Sequence, residues 1–176
     1  MGNQSAEIHV RSASLGGSDI EFIMAAWDST LPFLASIGAG EMWGDEPFSQ
    51  RQGQQQEIVE IIRQSEEDPR NDSRRLLVAE VNTPTEGTAE NVLVGAAMVR
   101  DALPYYLLER PELKGEIEKA DSLLFIEVLI TDHRAHRRHR GAGAALVEAI
   151  KRRARSGGKS AVYVDAWAGN GRKLNK

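Results

Sequence analysis

The window Leu123–Thr131 (LLFIEVLIT) constrains the fold more than any other stretch of the chain. Apart from Glu127, every position is aliphatic, aromatic or β-branched, which reads as a buried strand. Its alternation predicts Leu124, Ile126, Val128 and Ile130 on one face and Phe125, Glu127, Leu129 and Thr131 on the other. Beyond a basic stretch, Ala142, Leu146, Ile150 and Ala154 keep helical spacing until Ser156-Gly157-Gly158 stops the run. A strand feeding a glycine-bearing loop and then a helix commits the chain to a sheet with a helix packed on it.

The flanking segments fit that plan. Ala6–Ser12 reads as a first strand. Ile20, Ile23, Met24, Trp27, Leu31 and Leu34 mark an amphipathic helix behind a Ser18/Asp19 cap, with Pro32 disturbing its end. Ile58, Ile61 and Ile62 mark a second helix that stops before Pro69. Leu76–Val81 and Val92–Arg100 are β-rich runs expected to pair antiparallel across a long hairpin loop, Asn82–Asn91. Asp101–Asp121 is an excursion with a short helical stretch, and Ser160–Trp167 (SAVYVDAW) is a last strand. The order β-α-α-β-β-β-α-β predicts one mixed α/β domain over residues 1–176.

Composition narrows the function classes. Zero Cys excludes disulfides, thiolate metal sites and a Cys nucleophile. No apolar run approaches the roughly 18–20 residues of a membrane-spanning helix, and MGNQSAEIHVR has no signal-peptide core, so a cytoplasmic protein is expected. The net charge of −4 hides an asymmetry: residues 1–133 carry 10 Lys and Arg against 24 Asp and Glu, whereas residues 134–176 carry 12 against 2. The basic last quarter favours an anionic ligand, a phosphate-bearing cofactor or a nucleic acid, and the acidic remainder a cationic second partner.

Arg138-His139-Arg140-Gly141-Ala142-Gly143 lies between the strongest strand and a helix. At a helix start the first amides lack intrahelical partners and the macrodipole is positive, while glycines let a bulky anion approach the main chain. Known nucleotide loops do not fit: no Gly-Lys-Ser/Thr closes the segment, and Leu146 stands where G-x-G-x-x-G needs glycine.

Here the chain resembles the GNAT acetyltransferase superfamily, whose signature Arg/Gln-x-x-Gly-x-Gly/Ala is matched by Arg138-x-x-Gly141-x-Gly143. LLFIEVLIT upstream, the alanine-rich helix downstream and SAVYVDAWAGN extend the likeness over most of the chain. The resemblance implies a mixed, mainly antiparallel sheet flanked by helices, and acetyl-CoA as acyl donor. Its pyrophosphate would be held by the amides of Arg138, His139, Arg140, Gly141, Ala142, Gly143 and Ala144, its pantetheine arm would run beside Leu129, Ile130 and Thr131, and Asn170 would contact it after the fifth strand. The fourth and fifth strands splay in this family. Glu127 is the candidate base for an attacking primary amine, with pairing to an Arg as its structural alternative. The family also carries a Tyr general acid, a helix and two strands beyond the matched Asn, so the resemblance implies a domain incomplete at its C-terminus and self-association through an open sheet edge.

Other residues are weighed against that reading. His133, His136 and His139 recur every three residues, but without Cys or a carboxylate cluster no metal site is expected. Lys151-Arg152-Arg153 and Arg155 read as a solvated helix face. Trp27, Trp43, Tyr105 and Tyr106 are core residues or acceptor-pocket walls. Two competing functions remain: a nucleic-acid-binding module using Arg134, Arg137, Arg138, Arg140 and the Lys151–Arg155 cluster, for which no base-reading motif is found, and a CoA-binding but inactive acetyltransferase.

Overall fold

The computed structural model describes residues 7–85, 88–118, 122–135, 140–166 and 168–169. Strand β1 (Ile8–Ser12), helix α1 (Asp19–Ser36) and helix α2 (Gln54–Glu67) precede a hairpin of β2 (Arg75–Thr85) and β3 (Thr88–Arg100). Short helices α3 (Tyr105–Leu108) and α4 (Lys114–Ile117) fill the excursion before β4 (Leu123–Thr131), and α5 (Ala142–Ser156) leads to β5 (Ala161–Val164). The strands form one sheet in the order β1-β2-β3-β4-β5, antiparallel except for the parallel pair β4 and β5. The mixed, mainly antiparallel sheet flanked by helices is thus present. No helix among the described residues is long and apolar enough to cross a membrane.

Two apolar layers cover the sheet. Ile23 and Trp27 of α1 and Ile58 and Ile62 of α2 pack with Leu76, Val78, Ala96 and Met98. On the other face Leu146 and Ile150 of α5 pack with Leu77, Ala79, Val99 and Leu124. The alternation in β4 is broken between these layers. Met98 faces Val128, yet its neighbour Val99 faces Ile126, so Glu127 is one residue more than β3 can match. Such a bulge shifts the period by one and turns every later side chain over. Leu124 and Ile126 therefore pack under α5, whereas Val128 and Ile130 pack toward α1 and α2. The single face expected for these four residues is corrected accordingly.

Three further expectations change. The segment expected as a long loop is mostly ribbon: β2 and β3 stay paired from Asn82↔Asn91 to Thr85↔Thr88. Threonine favours extended backbone, and among the described residues β1 pairing stops at Val81, short of Pro84. Pro32 sits inside α1, which runs on to Ser36, and Ser18 makes no side-chain cap. Asp19 instead accepts the Ser14 N–H at 2.9 Å and the Arg11 guanidinium at 2.6 and 2.9 Å. Finally, Arg153 is not part of a purely solvated face, since its Nε donates to Asp72 at 2.6 Å. Asp72 also accepts from Arg75, which is buried and donates to the carbonyls of Pro69 and Asn71 at 2.9 and 2.8 Å.

Helix α5 packs tightly on the sheet at Gly95. A Cβ there would lie 3.0 Å from the Ile130 carbonyl oxygen and 3.3 Å from both Ala142 Cβ and Leu146 Cδ1. Alanine in a strand is ordinarily better than glycine by roughly 0.5–1 kcal/mol. Here Gly95→Ala is expected to destabilise instead, by about 1–3 kcal/mol, because backbone and helix must separate. Urea denaturation followed by circular dichroism measures the sign; an alanine variant at least as stable as the parent would show that α5 yields freely.

Candidate active site

Strands β4 and β5 pair only from Leu123↔Ala161 to Ile126↔Val164. Pairing ends at the bulge, where the surplus residue bends β4 away. From Glu127 to Thr131 no strand lies on the β5 side of β4 among the described residues, so the main-chain donors and acceptors of Leu129 and Thr131 line an open edge, whereas those of Ile130 between them turn to β3, as the Asp132 N–H does. Leu129 and, across the opening, Val164 are exposed, while Ile130 is buried toward α1.

The chain leaves β4 through Asp132, whose N–H donates to the Val94 carbonyl at 2.9 Å. Its carboxylate accepts the Arg134 N–H, Nε and Nη2 at 2.9, 2.8 and 3.0 Å. The His133 ring stacks on Phe33 of α1, centroids 4.2 Å apart. This mooring to α1 has no counterpart in the sequence reading. Arg138, His139 and Asn170 lie outside the described residues, as does His136. Arg140 is exposed, and Gly141 opens α5 with φ +87°, a left-handed conformation suited to glycine. The first helical bond runs from Ala145 N–H to the Gly141 carbonyl at 2.9 Å, so the amides of Ala142, Gly143 and Ala144 lie ahead of the helix ladder. A Cβ on Gly143 would meet nothing within 4 Å among the described residues, so the space beside Gly143 is open.

Glu127 emerges on the α1 and α2 side and is not isolated. Arg74 Nη2 and Nε reach its two oxygens at 3.1 and 3.3 Å, and Arg100 Nη1 is 3.9 Å away. Arg74 also pairs with Glu57 of α2. Burial alone would lower the Arg74 guanidinium, but the two carboxylates outweigh it and hold it above its usual value. Nearby, the Tyr106 hydroxyl donates to Asp165 at 2.6 Å. Burial and then this hydrogen bond push the Tyr106 phenol up to about 12, with Glu127 adding to the rise and Arg100 opposing it. Glu127, Arg74, Arg100, Tyr106 and Asp165 thus gather where β5 leaves β4. Sequence reasoning missed Arg74, Arg100 and Asp165; the available signal was that a lone carboxylate in an apolar strand requires cations at the ends of its neighbours.

The aromatic candidates separate. Trp27 stacks on Phe48 at 4.3 Å and meets Trp43 edge-on at 6.3 Å, inside the α1 layer. Tyr105 is exposed, and Tyr106 stands beside the opening. Among the basic residues of the last quarter, Arg134 is held by Asp132, Lys151 by Glu148 and Arg153 by Asp72.

No protein-family model matches the sequence, and no curated protein matches it. Among solved structures the chain is similar to a transcriptional regulator from Bacillus halodurans C-125, with 17% identity over 96% of this chain and 88% of that one and a TM-score of 0.55. It is also similar to AAC(6')-Iy in complex with the bisubstrate analogue CoA-S-monomethyl-acetylneamine (15% identity, 97% and 86% covered, TM-score 0.54). A third is an aminoglycoside acetyltransferase from an uncultured soil metagenomic sample (18% identity, 94% and 83% covered, TM-score 0.50). Likeness at these identities is likeness of fold, and a fold alone assigns no activity. Its splayed five-stranded sheet with helices on both faces gives this chain the GNAT-like α/β fold of those structures.

Proposed function

We propose that residues 1–176 form an N-acetyltransferase domain of the GNAT type, which transfers an acetyl group from acetyl-CoA to a primary amine on a small molecule or an exposed amino group. The observation that carries this reading is the open β4 edge ending at the amide-rich start of α5. A diphosphate fits the amides of Ala142–Ala144 and the positive helix end, with close approach over Gly143. In this reading Arg138, His139 and Arg140 add donors and charge, the pantetheine arm runs beside Leu129, Ile130 and Thr131 with its amides bonded to the main chain of Leu129 and Thr131, and Asn170 closes the cofactor site. Bound there, acetyl-CoA supplies the acyl group activated as a thioester.

Glu127 is assigned the proton of the amine. A protonated amine has no lone pair, so a base must take that proton directly or through water. Arg74 fixes the orientation of the carboxylate, which stands on the face where an acceptor would approach. The nucleic-acid alternative is weakened by the carboxylate partners of Arg134, Lys151 and Arg153. An inactive CoA binder would bind the donor and turn over no amine.

Isothermal calorimetry with CoA tests the donor site. Gly141→Val, which forces a β-branched residue into a left-handed backbone, and Arg138→Glu, which reverses a charge, are each expected to weaken binding by about 1–3 kcal/mol. Unchanged affinity in both folded variants would overturn the assignment. The proton role is tested by Glu127→Gln, expected to slow turnover by roughly 10²–10⁴ near neutral pH. The deficit should narrow at high pH, where the amine deprotonates unaided. A pH–rate profile superimposable on the parent's would remove Glu127 from the mechanism.

A further inference from the structure

The sheet face opposite α5 carries two apolar clusters: the one under α1 and α2, and a smaller one in which Leu103 and Leu107 cover Leu123, Phe125 and Tyr163. The register sets Glu127 and Arg100 between them, since Val128 faces Met98 of the first cluster and Arg100 faces Phe125 of the second. This polar seam opens at the mouth of the β4 and β5 splay.

Within the seam the other charges are already spent. Arg74 holds both oxygens of Glu127 and reaches Glu57, and Tyr106 donates to Asp165. Arg100 differs. At 3.9 Å its Nη1 is too far from Glu127 Oε1 for a hydrogen bond, and its buried Nε has no partner among the described residues. A buried N–H left without an acceptor is costly, and a guanidinium fork matches a carboxylate better than any other side chain does. Glu127 takes its hydrogen bonds from Arg74 and meets Arg100 only as a longer ion pair, so what Arg100 leaves for a ligand is its unmet N–H donors.

Resting on the acetyl-transfer reading above, we infer that the acceptor is a small amino acid, its carboxylate bound by Arg100 and its amino group facing Glu127. The two protein groups stand 3.9 Å apart, so a molecule whose own opposite charges are separated by one carbon spans them. A polycationic aminosugar or polyamine would instead set a like charge against Arg100.

The test titrates α-amino acids, each beside its decarboxylated amine, and a polyamine into the protein saturated with CoA, with acetyl-CoA turnover measured on the same compounds. The amino acid of at least one pair is expected to bind roughly 10- to 100-fold more tightly than its amine, the range of a charge-assisted hydrogen bond. Arg100→Met should abolish that preference, and Arg100→Lys, which keeps charge but loses the fork, should retain part of it; melting curves establish that both variants are folded. Equal binding within every pair, preference for the polyamine, no binding of any amino acid, or an equal loss for both members of the pair in Arg100→Met would each overturn the inference. CoA binding is measured first: its absence overturns the acetyltransferase reading itself, whereas CoA binding with turnover of bare amines overturns the carboxylate alone.

Discussion

Between Ile126 and Val128 strand β4 has one residue too many for the ladder with β3, and it absorbs the surplus by a local bend. The bend has two effects that no other element supplies. It ends the parallel pairing with β5, which opens a strand edge in the middle of the sheet, and it reverses which face each later side chain occupies. The first half of β4 is thereby held by α5 and the second half by α1 and α2, so the opening is braced from both layers.

At the bend, alternation from Ile126 sets a carboxylate on the α1 and α2 face of the strand, where an unpaired charge would be expensive. Arg74 makes this tolerable by meeting both oxygens, and Arg74 is in turn fixed by Glu57 on α2. The seam therefore depends on the loop between α2 and β2 as much as on β4. On the far side of the sheet, Gly95 lets α5 settle against β3 and β4, which brings the helix start to the end of the open edge. The strand edge, the helix amides and the charged seam occupy different elements, and their common reference is the β3 and β4 ladder.

Much of this order was legible in the sequence. Helical spacing located α1, α2 and α5, and Gly157 marks the end of α5 as the glycine pair suggested. The bulge was not legible for a physical reason: LLFIEVLIT is apolar on both faces, so a one-residue slip leaves no hydrophobic residue visibly misplaced. The hairpin was misjudged because the Thr-rich stretch reads as loop by composition although threonine is content in a ribbon. Arg74 and Arg100 could not be joined to Glu127 without register, since they lie 53 and 27 positions away along the chain. The mooring of His133 on Phe33 was hidden likewise, because stacking partners so far apart leave no local pattern.

Asp72 serves two cations with unequal needs. Arg75 is buried to 2% exposure, and burial together with the neighbouring Arg153 already lowers its guanidinium, whereas Arg153 reaches solvent and can rehydrate. Releasing the last turns of α5 leaves Asp72 wholly to Arg75 and costs little; releasing the 68–74 loop leaves Arg75 in apolar surroundings without its counter-charge. The amides at the C-terminal end of α5 should therefore exchange with solvent deuterium through small local openings, while those where β1 meets the start of β2 wait for the molecule to unfold.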